Sequence, residues 1–308
     1  MLQSEFDNIT KWNGKEKPFY EVYYLKVNEP SLGGALWLRY TFLSPLQGSP
    51  SASLWAIFFD SKDHLKNIAM KETVSTQDII FKKKKFELNI GGAHLNNTSS
   101  SGMIVNDKNS IGWDLSWKPS DKTFKHYPWP LYLLPWPKSK VAAPNLNVPV
   151  NGYFEVNGLK FNLFNASLHQ GHVWGRSYSG RWAWANCGSF LEDKNATLEL
   201  IMKPPIGLGY LKTSNEEFKF RFRNLYQPLS WEFMGKHGST RLIGKIETNP
   251  EDIIGVTYDD PISGERYCYN TKVASCLLKI GDRNLTSVNT TAFETVESVI
   301  NPHLNLSL

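Results

Sequence analysis

A hydrophobic period of two, repeated along most of the chain, constrains its fold more than any other feature of the sequence. In the stretch 35–42 the alternate positions are apolar or aromatic: Leu36, Leu38, Tyr40 and Phe42. The stretch 111–118 alternates in the same way, whereas 53–60 is apolar almost throughout. Because successive side chains of a β-strand point to opposite faces, the first pattern predicts half-buried antiparallel strands and the second predicts a strand buried on both faces.

Short turns separate these stretches and indicate antiparallel connections. Asn157-Gly158 lies between two alternating segments, 152–156 and 159–163, and both turn residues tolerate the positive φ angles of a type I′ hairpin turn. Counted in this way, the chain contains roughly fifteen strands. That number is too large for one small barrel and fits two barrels of about eight strands each. The sequence therefore predicts an all-β protein with two antiparallel barrels.

The segment Pro119–Pro149 interrupts the alternation. It combines prolines with the aromatic residues Tyr127, Trp129, Tyr132 and Trp136. Because proline cannot donate a hydrogen bond to a β-ladder, we predict a long extended connection here. We expect its aromatic side chains to pack across an interface or to cover a cavity rather than to be exposed to water.

One stretch near the C-terminus has a helical spacing. Phe293, Val296 and Ile300 would lie on one face of a helix over Ala292–Ile300, and Pro302 follows as a stop signal. We predict a short C-terminal helix there, as an appendage to the second barrel.

Composition and charge narrow the function classes. The net charge of +5 is too small and too dispersed to indicate a nucleic-acid partner. There is no run of 18 apolar residues, as a transmembrane helix requires, and the N-terminus lacks the apolar region of a signal peptide. Three cysteines are too few for a disulfide framework and favour a reducing compartment. We therefore predict a cytoplasmic protein, although the Asn-x-Ser/Thr sequons along the chain would suit a secreted glycoprotein.

The segment Gly171–Cys187 has the highest density of side chains that carry chemistry. If this segment forms strands, His172 and Trp174 lie on one face of the first strand. Trp182, Trp184 and Asn186 lie on one face of the next. We predict that these side chains and Tyr178 line an apolar ligand cavity. In this cavity the indole faces would stabilise positive charge on a hydrocarbon. His172 is the candidate proton donor or acceptor, because an imidazole titrates near neutral pH. The alternative is that the same rings only pack in the core.

Other polar groups have a functional and a structural interpretation. Glu21 shares a predicted strand face with aromatic residues, where desolvation would raise the pKa of a carboxyl and suit it to act as an acid; alternatively it pairs with an arginine or points to solvent. The lysine run Lys82–Lys85 fits an exposed edge strand, and contact with a membrane surface is the second interpretation. His169 and His172 have no third ligand in view, so no metal site is predicted.

Four passages of the sequence resemble the superfamily of carotenoid 1,2-hydratase, AttH-like proteins and tocopherol cyclase. In chain order they are Pro18–Val27; Phe86–Gly91 followed by Gly102 and Ile111–Leu115; Gly152–Asn165; and Gly171–Gly175 with Trp182–Cys187. His172 and Trp174 match the family's His-x-Trp. No position is assigned here to the family's later Tyr-x-Asp, and Glu199 is taken as the nearest acidic candidate.

This resemblance implies two consecutive lipocalin-like (calycin) barrels, which we place at residues 1–190 and 191–308, with a ligand cavity in or between them. It also implies a hydratase or a cyclase/isomerase that acts by acid catalysis, without a cofactor, on an isoprenoid or polyene. The candidate acids are His172, Glu21 and Glu199. The unassigned Tyr-x-Asp leaves an alternative open, a non-catalytic carrier of a lipid, pigment or terpenoid. The sequence does not indicate an oligomeric state.

Overall fold

Antiparallel β-sheet makes up nearly all of the regular structure, as the period of two predicts. The computed structural model describes residues 2–75, 80–81, 85–178, 180–223, 226–262 and 264–308. Helical segments within these ranges are α1 (Gln3–Asn8) and the 3-10 helices Pro30–Leu32, His64–Lys66, Trp129–Tyr132 and Pro250–Asp252. None of the described helices has the length and apolar character needed to cross a bilayer.

The first sheet is formed by the strands up to residue 175. They are β1 (Phe19–Glu29), β2 (Gly34–Ser44), β3 (Ser51–Asp60), β4 (Ile68–Ser75), β5 (Ile80–Phe81), β6 (Glu87–Ile90), β7 (Ala93–Asn96), β8 (Ser99–Val105), β9 (Ser110–Trp117), β10 (Phe124–Lys125), β11 (Ser139–Val156) and β12 (Leu159–Gly175). Hydrogen-bonded neighbours follow the order β4-β3-β2-β1-β12-β11-β9-β8-β7-β6-β5, and β10 pairs with β11. The pairing of β1 with β12 joins the two ends of this part of the chain at the middle of the sheet.

The second sheet begins after residue 181. Its strands are β13 (Trp182–Cys187), β14 (Thr197–Lys203), β15 (Ile206–Lys212), β16 (Glu217–Phe222), β17 (Tyr226–Gln227), β18 (Ser230–His237), β19 (Thr240–Glu247), β20 (Ile254–Asp259), β21 (Glu265–Ile280) and β22 (Arg283–Glu297). Their order is β16-β15-β14-β13-β22-β21-β19-β18-β17, and β20 pairs with β21. The chain passes from the first hydrogen-bonded sheet to the second between residues 175 and 182. The predicted division into two domains at residue 190 stays a prediction.

Each sheet has its own hydrophobic core, and a third apolar cluster joins the two sheets. The first core includes Leu25 and Trp113, and the second includes Trp231. The third cluster, here called the seam, takes residues from both sheets, among them Trp37 from the first and Trp184 from the second. Central strands therefore lie between a core and the seam. This explains why nearly every residue of β1 is buried and why its sequence shows no polar face.

Several local predictions are confirmed. Asn157 and Gly158 have φ angles of 50° and 82° and connect β11 to β12 as a hairpin. Strand β9 alternates between buried and more exposed residues, and the apolar stretch at residues 53–60 belongs to β3, most of which is buried. Beyond these predictions, the structure places Cys268 and Cys276 on one strand, β21, and all three cysteines are free and buried.

The predicted C-terminal helix is wrong, because residues up to Glu297 form strand β22. Phe293 packs in the second core, whereas Val296 packs in the seam, so the two side chains are on opposite faces. With both faces buried, the strand shows no alternation, so its apolar residues imitate the spacing of a helix. Ile300 lies beyond the strand and is half exposed.

The predicted long connection over Pro119–Pro149 is also only partly right, because β11 begins at Ser139 and includes Pro144 and Pro149. Its pairing with β12 shifts register on either side of Asn145, and such irregularities accommodate prolines. The expectation that its aromatics avoid water fails for Trp129 and Trp136, which are 68% and 65% exposed. In the lysine run Lys82–Lys85, residues 82–84 lie outside the described ranges.

Candidate active site between the two sheets

A cavity of about 90 Å³ lies in the seam between the two sheets. Eight of its seventeen lining residues are aromatic: Tyr20, Tyr24, Trp37, Tyr127, Tyr178, Trp182, Trp184 and Tyr258. The charged residues in its lining are Arg39, Lys140, Lys203 and Glu294. One water molecule needs roughly 10–15 Å³ on this scale, so the cavity has room for a compact organic molecule. An apolar hollow with a few convergent polar groups is the usual form of a small-molecule site.

The alternation of strand β1 supplies one wall of the cavity. Tyr20 and Tyr24 point into the seam, while Glu21 and Tyr23 point to the opposite face. The ring of Tyr24 fits against β12 because residue 171 is glycine: a Cβ atom there would lie 2.1 Å from Tyr24 Cζ. This contact gives a physical reason for the glycine that precedes His172.

Arg39 and Tyr178 form the polar centre of the lining. The guanidinium Nη2 donates to the Tyr178 hydroxyl at 2.8 Å, and its carbon lies 3.6 Å from the ring centroid of Tyr258. Asp260 accepts the backbone N–H of Tyr178 at 2.8 Å and so fixes its position. Burial raises the pKa of Tyr178, and Arg39 opposes this only in part, so the hydroxyl remains protonated at neutral pH.

Glu294 is the carboxylate that the described residues place in the cavity lining. Its Oε1 atom lies 2.8 Å from the ammonium of Lys272, which is fully buried and also donates to Asn270 at 2.9 Å. Lys272 therefore holds the carboxylate in place while Glu294 reaches the cavity. A buried charge with a close counter-ion and further hydrogen bonds is the arrangement that a folded interior tolerates.

Glu199 lies behind the cavity wall and does not line it. The side chains of Trp184 and Asn186 donate to its two oxygens at 2.8 and 2.9 Å, and His126 Nε2 lies 2.8 Å from it. Burial alone would raise the pKa of Glu199, but His169 and the hydrogen bond with His126 lower it below its usual value. Glu199 is thus a carboxylate that positions its neighbours, with little tendency to donate a proton near neutral pH.

Glu21 and His172 lie on the other side of the first sheet, facing its core. Both are fully buried, and Glu21 Oε1 is 2.8 Å from His172 Nε2. The backbone N–H groups of Lys11 and Trp12 each donate to Glu21 at 2.8 Å, so the N-terminal segment covers this pair. Tyr23 donates to the same carboxylate at 2.7 Å.

The sequence-predicted site residues thus separate into three places. Tyr178, Trp182 and Trp184 line the cavity. Asn186 and Glu199 form a polar layer directly behind Trp184. Glu21, His172 and Trp174 are together on the first core, where the rings of His172 and Trp174 are 4.5 Å apart. Both predicted groups are therefore present, but they do not form one wall. His172 and Trp174 face the first core, whereas Trp182 and Trp184 face the seam cavity.

Sequence reasoning missed the polar residues that do line the cavity. Arg39 occupies the face of β2 that alternates with the core positions, and such a face is normally read as solvated. Glu294 was concealed in the predicted helix. The sequence contains one signal for Arg39: in the stretch 35–42 it shares a strand face with the aromatic residue Trp37.

Comparisons with known proteins give distant matches over nearly the whole chain. No family model matches it. Uncharacterized proteins from two strains of Mycobacterium tuberculosis are each 20% identical over 300 residues, which cover 92% of this chain and 87% of the relative.

Two solved structures share the architecture. An AttH candidate from Nitrosomonas europaea aligns with a TM-score of 0.56 and 8% identity over 95% of this chain and 99% of that chain. Kievitone hydratase from Nectria haematococca aligns with a TM-score of 0.53 and 10% identity over 94% of each chain. At such identities the likeness concerns the fold, and it confirms at that level the resemblance found in the sequence. By its fold, this chain is similar to the AttH candidate and to kievitone hydratase.

Proposed function

We propose that this chain is an enzyme of the hydratase or cyclase/isomerase type that performs acid–base chemistry on a lipophilic small molecule in the seam cavity. The observation that carries the proposal is the pairing of an aromatic lining with two fixed polar groups, the Tyr178 hydroxyl and the Glu294 carboxylate. The first can donate a proton and the second can accept one, which are the two functions that hydration and isomerisation require. The hydratase activity named for one structural neighbour agrees with this reaction class.

The charges around the cavity favour a reaction in which negative charge develops. Arg39 and the two lysines of the lining would oppose the carbocation that an indole wall alone would suit. For a double bond conjugated to a carbonyl, Tyr178 would donate to the developing oxyanion. Glu294 would take a proton from the water whose oxygen adds to the distal carbon. It would then return that proton to the carbon next to the carbonyl, so that one water is added in total and the carboxylate is restored.

A second function, binding without chemistry, is favoured by one specific observation. Glu294 already has Lys272 as an ion-pair partner, and Tyr178 already has Arg39. Groups held in this way suit the recognition of a ligand as well as its conversion. A carrier of a lipid, pigment or terpenoid would need only this recognition.

Incubation of the protein with an organic extract of its source organism in H₂¹⁸O separates the two functions. Mass spectrometry that finds an extract component with a new ¹⁸O atom, or an isomer of one, supports the enzyme. Tyr178→Phe, which keeps the ring, should lower the rate by roughly 10²-fold or more. Trp129→Phe, at an exposed position, is the control and should leave the rate unchanged. Recovery of a bound but unaltered compound would support the carrier instead.

A further inference from the structure

Arg39 is a buried cation whose hydrogen-bonding capacity is mostly unused. Its side chain is 3% exposed, and Nη2 donates to Tyr178. Within the described ranges, neither Nε nor Nη1 has a hydrogen-bond partner, and no carboxylate forms an ion pair with this guanidinium. A guanidinium carries five N–H donors, so most of its donors are free in a place with little water.

Such a group is unfavourable in a folded interior unless something compensates for its lost hydration. The rings of Tyr258 and Trp55, at 3.6 and 5.5 Å from the guanidinium carbon, do so in part through cation–π contact. These rings stabilise the positive charge, but they accept no hydrogen bond from the N–H groups in the plane of the guanidinium. An anion in the adjoining cavity would satisfy both.

The other charges near the cavity point to the same ligand. Lys140 and Lys203 line it together with Arg39, whereas its carboxylate, Glu294, is already neutralised by Lys272. Burial lowers the pKa of Lys140, as expected for an ammonium without an anion beside it. The lining therefore holds three cationic residues against one carboxylate, beside aromatic rings.

We propose that the seam cavity binds a compact, lipophilic organic acid whose carboxylate pairs with Arg39. This deepens the proposed function by naming the substrate class of the same site. The aromatic walls would hold the hydrocarbon or aryl part of the molecule, and the carboxylate would accept from the free N–H groups of Arg39. Arginine suits this task because it stays charged when buried and because its hydrogen bonds to carboxylates are strong.

Calorimetric titration with trans-cinnamate and with its neutral isostere trans-cinnamamide tests the charge preference without any need for turnover. The wild-type protein should bind the carboxylate at least about tenfold more tightly, as expected for hydrogen bonds to a charged group. Arg39→Gln should abolish the difference, and Arg39→Lys should keep part of it. Arg176→Gln, an exposed arginine paired with Glu16, is the matched control and should change nothing.

The apo protein provides a second readout that a purely structural arginine would not give. If the guanidinium awaits an anion, Arg39→Met should leave the melting temperature of the ligand-free protein unchanged or raise it, and cinnamate should then no longer raise it. Equal affinities for the two probes, no binding of cinnamate at millimolar concentration, or a large loss of apo stability in Arg39→Met would each overturn the inference. If binding is charge-selective but no extract component is converted, this inference stands and the proposed enzyme function is refuted. If only neutral compounds are converted, the enzyme function stands and this inference is refuted.

Discussion

Glu21 and His172 form a buried pair in which the carboxylate oxygen and the ring nitrogen are 2.8 Å apart. The other ring nitrogen, Nδ1, lies 2.9 Å from the carbonyl oxygen of Asp7. A carbonyl oxygen can only accept, so Nδ1 donates its proton to Asp7, and burial lowers the pKa of the ring. Through these contacts and the backbone N–H groups of Lys11 and Trp12, the pair fastens the N-terminal segment to the first sheet.

The first prediction is that His172→Gln acts on stability and not on ligand binding in the seam. Breaking a buried, hydrogen-bonded pair typically costs about 3–5 kcal/mol, and the cavity lies on the other side of the sheet. Urea unfolding measures the first effect, and cinnamate titration of the folded variant measures the second. His64→Gln, at an exposed position, should change neither. A variant of normal stability with impaired turnover would instead support a catalytic role for His172.

The sequence was sufficient for the fold class because period two is a local property. It was insufficient wherever a strand is buried on both faces, as in β22, since burial by a second sheet removes the alternation that identifies a strand. The same cause limits prediction of the site. The faces of His172 with Trp174 and of Trp182 with Trp184 could be derived from spacing. Which of those faces meets the seam depends on the pairing of β1 with β12, and that is a long-range contact no local pattern encodes.

The second prediction concerns pH and His169. Burial, opposed by Glu199, lowers its pKa to about 4 in the folded protein, against 6.5 for an unperturbed histidine. Between these values the unfolded chain binds a proton that the folded chain does not, so the stability present above pH 6.5 declines as the pH falls toward 4. The decline should reach roughly 3 kcal/mol, since each pKa unit corresponds to about 1.4 kcal/mol.

Urea unfolding at a series of pH values checks this slope. His169→Gln, which can still donate to the Leu146 carbonyl, should flatten the curve over that range. His303→Gln, an exposed histidine, should leave it as in the wild type. An unchanged slope in His169→Gln would assign the acid sensitivity to other groups.

The third prediction tests the packing of β12 against Tyr24. In Gly171→Ala the new methyl group would meet the Tyr24 ring at 2.1 Å, so the ring or the strand must move. We expect a loss of about 1–3 kcal/mol in unfolding free energy together with weaker cinnamate binding, because Tyr24 lines the cavity. Gly180→Ala, where a Cβ meets no atom within 4 Å, is the matched control. Equal stability of the two variants would contradict the contact.

The last prediction concerns the three thiols, all of them buried and unpaired. Burial raises the pKa of Cys268 and of Cys276, which disfavours the reactive thiolate. The native protein should therefore consume almost no aromatic disulfide reagent near neutral pH, whereas the protein in denaturant should consume three equivalents, one for each cysteine of the sequence. The time course in the native state should then follow opening of the structure and accelerate with added urea. Rapid labelling of one thiol without denaturant would show that a cysteine is reachable in the folded protein and would contradict its burial.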